Sequence, residues 1–302
     1  MQPKSFHISV CICTYKRPKL LINLLEKLQN QKTDGLFTYS IVIADNDKQQ
    51  SAKDSVERFK KDSKVAIDYH CEPEQNIALA RNIAVRNAHG DFIAFIDDDE
   101  FPLQDWLLNL LKTLLLYNAD GIRGPVKPFF EKDPPNWIIK GNFYERESYP
   151  TGHVLTWRQG RTGNLLLRKT IFDDPDNMFD PAFGSGAEDQ DFIRRMQQKG
   201  YVFIYCNEAI VYEIVPPVRW KRTFMLKRAL LRGKVALKHP GFGLIDIIKS
   251  LAAIFIYSVT LPFLMIGGQH IFMKYLIKLF DHAGKCFAFL GITLVKEKYV
   301  ID

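Results

Sequence analysis

The sequence contains few of the residues that mark disulfide-rich or zinc-binding proteins. Among 302 residues only five are cysteine, and they lack the paired spacing of a zinc site: Cys11, Cys13, Cys71, Cys206 and Cys286. We interpret them as buried free thiols in a reducing compartment. The sequence also lacks a solenoid-type repeat and a low-complexity run, which excludes a repeat architecture. The polar N-terminus shows no signal-peptide pattern, so we expect the first part of the chain to be cytosolic.

Acidic residues are scarce in the last part of the chain. Residues 219–302 hold 14 Lys and Arg against 4 Asp and Glu, whereas residues 1–218 hold 27 against 30. From Arg219 to Lys238 there are eight basic residues and no acidic one. Such a segment can attract nucleic acid or an anionic membrane, since both present phosphates.

Charge of either sign is absent from Leu251 to Gly268. This run approaches the roughly 20 residues that cross a bilayer, and we expect Pro262 to kink it and the pair Gly267-Gly268 to end it. It either spans the membrane or enters and returns. Basic residues beside an apolar run favour a membrane over nucleic acid as the partner.

Beyond that run, charged residues recur along one helical stripe while apolar residues fill the other positions. The stripe consists of Lys274, Lys278, Asp281, His282 and Lys285. This pattern is typical of a helix lying in the membrane interface. The alternative is a small cytosolic helical domain with a buried hairpin.

Short apolar strands alternate with amphipathic helices in the first part of the chain. The predicted strands are Ile8 to Cys13, Tyr39 to Ala44, Ala66 to His70 and Phe92 to Ile96. This alternation predicts an α/β fold with a mostly parallel sheet covered by helices on both faces. Ligands bind beyond the carboxyl ends of such strands, so the loops after Cys13, Ala44 and Ile96 should converge on one cleft.

Four consecutive acidic residues, from Asp97 to Glu100, directly follow the strand that ends at Ile96. Adjacent carboxylates repel one another, and Mg²⁺ or Mn²⁺ with diphosphate oxygens would compensate them. The alternative is a solvated acidic turn that caps the next helix.

A series of phrases, in order and at matching spacing, resembles the GT-A glycosyltransferases of family 2, and within them the succinoglycan-type glucosyltransferases. The phrases are Val10-Cys-Ile-Cys-Thr-Tyr-Lys-Arg-Pro18, Ile43-Ala-Asp-Asn-Asp47, Glu74-Gln-Asn-Ile-Ala-Leu-Ala-Arg-Asn82, Phe95-Ile-Asp-Asp-Asp-Glu100, Gly121-Ile-Arg-Gly-Pro125, Gly163-Asn164 and Gly186-Ala-Glu-Asp-Gln-Asp-Phe192. The resemblance covers about Ile8 to Gly233 and implies a GT-A, Rossmann-like fold.

The resemblance also implies a nucleotide-sugar site. The nucleotide, commonly uridine, would be held by Thr14, Tyr15, Arg17, Asp45, Asn46 and Arg81. Asp97 would approach the ribose, Asp99 a Mg²⁺ or Mn²⁺ ion, and Asp98 would lie between them. A carboxylate accepts the ring N–H of uracil, and arginine donates to carbonyls or phosphates. For Arg81 a helix-surface ion pair is the alternative.

The acids of a second loop, Glu188 and Asp189, open a helix further along the chain. The helix dipole alone would favour acids there. In the functional interpretation Asp189, or else Glu188, is the general base of an inverting displacement. Where family members often place a histidine near the metal, this chain has Glu213, which we expect to be a second metal ligand.

These observations predict two parts, a GT-A catalytic domain over residues 1–218 and a helical membrane-associated region over residues 219–302. The expected enzyme moves a hexose, with glucose favoured by the resemblance, from a UDP-sugar to a lipid-linked or polysaccharide acceptor. It would make cell-surface glycans at the cytoplasmic face of the membrane, without nucleic acid as a partner. Two alternatives stay open. A sugar nucleotidyltransferase usually has a Gly-rich loop after its first strand, and Thr14 to Pro18 has no glycine. A non-catalytic sugar-nucleotide binder would not need the Glu188-Asp189 loop.

Overall fold

A computed structural model describes residues 5–238 and 241–295. The strands in these ranges are β1 (Phe6–Thr14), β2 (Phe37–Asp45), β3 (Ile67–Cys71), β4 (Phe92–Phe95), β5 (Glu100–Pro102), β6 (Gly121–Arg123), β7 (Val126–Phe129), β8 (Leu165–Arg168), β9 (Phe203–Tyr205) and β10 (Val211–Ile214). The α-helices are α1 (Pro18–Leu28), α2 (Lys53–Lys60), α3 (Ile77–Arg86), α4 (Trp106–Tyr117), α5 (Asn136–Lys140), α6 (Glu188–Gln198), α7 (Arg222–Ala236), α8 (Leu244–Leu264) and α9 (Gln269–Phe289).

The larger sheet has seven strands in the order β3-β2-β1-β4-β8-β6-β9. Strands β3, β2, β1 and β4 are mutually parallel, whereas β8 runs antiparallel to both β4 and β6. The sheet is therefore mixed, with a parallel half that matches the predicted alternation of strands and helices. A smaller sheet, in the order β5-β10-β7, comes from segments that the sequence analysis did not identify as strands.

Helices cover both faces of the larger sheet, as β1 shows. Ile8, Val10 and Ile12 pack into one core with α1, α2 and α4. Cys11, on the opposite face, packs with the alanines of α3 and with α6. Because successive side chains of a strand point to opposite faces, a strand buried on both is apolar almost throughout. The α/β prediction is confirmed.

The chain forms two compact units. The first consists of residues 1–127 and 146–214, and the second of residues 128–145 and 215–302. The predicted boundary at residue 218 divides the chain by sequence position alone, so it could not show that residues 128–145 belong with the C-terminal helices. The division into a catalytic and a membrane-associated part stays a prediction.

Within the second unit, α8 is long and apolar enough to cross a membrane by length and composition. Most of its surface is not covered by protein, since only 11% of its most apolar window is buried. Pro262 lies inside this helix, two residues before its end, and Gly267 lies between α8 and α9. A small core around Ile138, Met225 and Met273 joins α5, α7 and α9.

Candidate active site

The loop after β1 contacts the acidic loop after β4, because β1 and β4 are neighbouring parallel strands. The Thr14 hydroxyl donates to Asp98 Oδ2 at 2.7 Å. Arg17 Nη1 lies 3.3 Å from both Asp98 Oδ1 and Asp99 Oδ2. Burial raises the pKa of Asp98 to about 7, although Arg17 opposes the shift. The structure therefore brings these four predicted site residues together, with Asp98 fastened to the first loop.

Asp45, at the end of β2, is fully buried and is held by the protein itself. Its carboxylate accepts hydrogen bonds from the Tyr69 hydroxyl at 2.7 Å and from the N–H groups of Ala52 at 3.0 Å and Asp47 at 3.1 Å. Burial raises its pKa, against the lowering effect of these donors. Asp45 thus fixes the shape of its loop, and contact with a nucleotide base stays a prediction.

Asn46 connects the second loop to the third. Its side-chain amide donates to the carbonyl oxygens of Glu72 and Glu74, and its Oδ1 accepts the N–H of Asn76 at 2.8 Å. Tyr15 is half-buried, with the Lys16 ammonium 5.2 Å from the centre of its ring. Roles of Asn46 and Tyr15 in nucleotide binding also stay predictions.

The smaller sheet brings Glu213 to the acidic cluster, since β10 pairs with β5 so that Glu213 lies opposite Glu100. Glu213 forms an ion pair with Arg146, whose charge also acts on Asp97 and Glu100. Burial raises the pKa of Glu100, and Asp97 is the next largest cause. The sequence analysis missed Arg146. It lies in a Pro-rich, irregular segment, so neither periodicity nor a motif indicated its position.

Gly163 explains why one of the family phrases contains a glycine. A Cβ atom at this position would lie 2.8 Å from Glu100 Oε1 and 3.2 Å from Asp97 Oδ2. Asn164, which follows it, is fully buried and donates to the carbonyl oxygens of Pro125 and Ala209. Gly163 therefore lets the backbone approach the acidic loop, and the hydrogen bonds of Asn164 hold the backbone in this position.

Arg81 joins the two acidic loops that the sequence analysis treated separately. Its guanidinium forms an ion pair with Glu188 through Nη1, and its Nη2 lies 3.6 Å from Asp97 Oδ1. Arg81 and Glu188 each have only 7% of their side chains exposed, so the ion pair of the alternative is present but is buried and does not lie on the helix surface. The predicted contact between Arg81 and the nucleotide remains untested.

The two candidate bases have different surroundings. Glu188 is buried against Arg81, and burial raises its pKa to about 7 while Arg81 opposes the shift. Asp189 is half-exposed, and its Oδ1 accepts the N–H of Gln190 at 2.7 Å. In residues 5–238 and 241–295, no basic side chain lies within salt-bridge distance of Asp189, although its charge acts on Arg81. Asp189 is therefore the more exposed of the two acids, and its role as the general base stays a prediction.

The donor set fits a divalent cation that arrives with phosphates. Asp99 and Glu213, which pair with Arg17 and Arg146, would supply carboxylate oxygens, and the charges of both act on the half-exposed Asp97. Across the part of the chain that the structure describes, no three His, Cys, Asp or Glu side chains form a ready-made cage. Mg²⁺ usually binds through one or two carboxylates plus waters and substrate phosphates, so such a cage is not required.

Comparison with known proteins shows the family to which the chain belongs. Residues 9–179 match Glycosyl transferase family 2. The chain is 34% identical over 236 residues to the succinoglycan biosynthesis protein ExoM of Rhizobium meliloti (strain 1021), covering 78% of this chain and 75% of that protein. The chain belongs to glycosyl transferase family 2. This glycosyltransferase is also 26% identical over 254 residues to a chondroitin synthase of Pasteurella multocida (strain Pm70), of which it spans 26%.

Solved structures show the same fold at low sequence identity. S. aureus TarS 1-349 in complex with UDP-GlcNAc superposes with a TM-score of 0.53 at 16% identity, covering 96% of this glycosyltransferase and 93% of that chain. GalNAc-T7 with UDP, GalNAc and Mn²⁺ gives a TM-score of 0.56 at 12% identity, covering 80% and 53%. The GT-A fold predicted from the resemblance is confirmed. Family membership also decides between the enzyme classes in favour of a glycosyltransferase over a nucleotidyltransferase.

Proposed function

We propose that this enzyme moves a hexose from a UDP-sugar to a hydroxyl group of a lipid-linked or polysaccharide acceptor, with inversion at the anomeric carbon. The observation that carries the proposal is the bridge through Arg81. Arg81 connects two acidic loops. The loop that contains Asp97, Asp98 and Asp99 would bind the donor, and the loop that contains Glu188 and Asp189 would activate the acceptor. An inverting transfer needs these two functions on opposite sides of one anomeric carbon.

In the proposed reaction, Asp189 takes the proton of an acceptor hydroxyl group as that oxygen attacks the anomeric carbon. The attack comes from the face opposite the diphosphate. The new carbon–oxygen bond forms while the bond to the diphosphate breaks, and UDP leaves with the electron pair. A single displacement requires no covalent enzyme intermediate. A Mg²⁺ or Mn²⁺ ion held by Asp99 and Glu213 would offset the charge developing on the diphosphate.

The nature of the donor and the product is supported by similarity. Structures of the same fold contain UDP-GlcNAc in TarS and UDP with Mn²⁺ in GalNAc-T7. The relative from Rhizobium meliloti takes part in succinoglycan biosynthesis, and a second relative is a chondroitin synthase. We therefore infer a role in polysaccharide synthesis with UDP as the nucleotide. Glucose as the favoured sugar rests on the resemblance to the succinoglycan-type glucosyltransferases alone.

The donor is tested by measuring UDP release from a panel of UDP-sugars, with Mn²⁺ and with EDTA. We expect UDP-glucose to turn over at least about tenfold faster than UDP-galactose or UDP-GlcNAc, because hydrogen bonds to sugar hydroxyl groups discriminate strongly. EDTA should abolish the release. UDP release from no member of the panel would contradict the proposed donor class, and full activity in EDTA would contradict the metal site.

We also propose that the enzyme works at the cytoplasmic face of the membrane and that α8 attaches it there. The exposed apolar side chains of α8 include Phe255 and Phe263, each 70% exposed. Exposed apolar surface of this extent marks an interaction site. A bilayer would cover it and place the enzyme in the same plane as a lipid-linked acceptor.

Replacing both Phe255 and Phe263 with aspartate should release the protein from phosphatidylcholine vesicles. Each buried phenylalanine contributes about 1.5–3 kcal/mol of apolar transfer, so partition should fall at least about 100-fold. Leu116→Asp is the matched control, because Leu116 is 77% exposed on α4 of the first unit. Vesicle flotation measures the partition. Equal flotation of the double variant and the control would contradict attachment through α8.

A further inference from the structure

A basic pocket lies between α7 and α9 in the second unit. It has a volume of about 310 Å³. We call it the α7–α9 pocket, and its lining residues are Arg232, Gly233, Lys278, Asp281, His282 and Lys285. None of these residues belongs to the site described above.

The pocket is formed by a close crossing of two helices. A Cβ atom at Gly233 would lie 2.4 Å from the carbonyl oxygen of Asp281, and one at Gly284 would lie 2.6 Å from that of Leu230. The two backbones are therefore in contact at this point, as small residues allow. The long side chains beside the crossing extend past it and form the walls of the pocket.

The charges in the pocket do not cancel. Arg232 binds Asp281 through two hydrogen bonds of 3.1 Å, which neutralises both groups. Lys278 and Lys285 are two turns apart on the same face of α9, and no carboxylate pairs with either lysine in the part of the chain that the structure describes. Lys278 instead lies over the ring of Tyr275, 5.1 Å from its centre. Two ammonium groups are therefore left for an anion.

The pocket adjoins the apolar helix. His282 lines the pocket, and its Nδ1 lies 3.1 Å from the hydroxyl of Ser250 on α8. The large apolar side chains of α8 with more than half of their surface exposed are Leu244, Ile245, Ile248, Leu251, Phe255, Ile256, Val259 and Phe263. Uncompensated positive charge thus lies next to a surface suited to hydrocarbon.

The packing of α9 along α8 limits the orientation that the two helices can take relative to a bilayer. Tyr257 contacts Tyr275, while Ser250 contacts His282, so the two helices are antiparallel. If α8 crossed the bilayer, α9 would carry its charged stripe into the hydrocarbon, which is costly. An orientation with α8 in the plane of one leaflet keeps the charges of α9 at the level of the lipid headgroups.

We propose that α8 lies in the plane of one leaflet and that the α7–α9 pocket binds the headgroup phosphate of an anionic phospholipid through Lys278 and Lys285. This inference rests on the proposed membrane attachment. It adds a specific lipid site to the general attraction between basic residues and an anionic surface. Recognition requires only a phosphate that is held at the surface beside an apolar layer.

The test is flotation of the full chain with vesicles of phosphatidylcholine, alone or mixed with phosphatidylglycerol. The variants are Lys278→Gln and Lys285→Gln, and the matched control is Lys274→Gln, an exposed lysine one turn away that does not line the pocket. Loss of one charge near an anionic surface lowers binding about fivefold. We expect this loss for the control, and a loss several times larger for each pocket variant. Binding to pure phosphatidylcholine should not change.

Equal losses for Lys274→Gln and Lys278→Gln would overturn the pocket, because general electrostatic attraction would then explain the binding. Inorganic phosphate added to the detergent-solubilised protein tests the other source of the same anion. A thermal shift with inorganic phosphate that the pocket variants lose, without any response to phosphatidylglycerol, would assign the pocket to a soluble phosphate and overturn the lipid site. UDP release in detergent should be equal in all variants, so failure of the lipid site is distinguishable from failure of the glycosyltransferase proposal.

Discussion

Replacing Asp189 with asparagine is expected to lower sugar transfer about 10²–10⁴-fold, the usual contribution of a general base. Binding of UDP-sugar should be unchanged. Asparagine has the shape of aspartate, and its oxygen can still accept the N–H of Gln190. The variant therefore removes the proton acceptor without disturbing the first turn of α6. The measurements are turnover at saturating donor and, separately, UDP binding by titration.

Asp173→Asn is the matched control, since Asp173 is an exposed carboxylate of the same unit outside the site. It should transfer sugar at the normal rate. Turnover of Asp189→Asn within a few-fold of normal would show that another group is the base. Glu188 would be the next candidate for the base, although its carboxylate is engaged in the buried ion pair with Arg81.

The sequence predicted the parts of the site that depend on local order along the chain. The alternation of strand and helix placed the loops after β1, β2 and β4 at one edge of the sheet, because neighbouring parallel strands end on the same side. In the structure Thr14 reaches Asp98, and the N–H of Asn46 donates to the carbonyl oxygen of Thr14. The convergence of these loops follows from the parallel direction of the strands. The alternation of strands and helices along the sequence is enough to predict that direction.

The interactions between distant segments could not be predicted in the same way. Arg146 and Glu213 are 67 residues apart, and their contact depends on the pairing of β10 with β5, two short strands without a clear alternating pattern. The role of Arg81 depends on α3 lying beside the loop before α6. Composition shows that a basic residue is available, but only the tertiary structure shows which acids it neutralises.

Removing the bridge through Arg81 is expected to have a large effect on the stability of the folded protein. Arg81→Met should destabilise the folded protein by about 3–5 kcal/mol, because it leaves the carboxylate of Glu188 buried without its counter-charge. Methionine retains much of the apolar volume, so the loss reports charge rather than a cavity. The free energy of unfolding, measured by urea denaturation at pH 8, tests the prediction.

The pH dependence and a second substitution separate this charge effect from a packing defect. The pKa of Glu188 in the folded protein is raised to about 7, so the folded state binds more protons than the unfolded state between about pH 4.5 and 7, and stability falls as pH rises through this range. Without Arg81 the pKa of Glu188 should rise further. The deficit of Arg81→Met should therefore be large at pH 8 and small at pH 5, where Glu188 is protonated. Adding Glu188→Gln to Arg81→Met should recover most of the lost stability at pH 8. If the loss of stability is instead independent of pH and is not relieved by Glu188→Gln, then Arg81 acts through packing and does not bridge the acidic loops electrostatically.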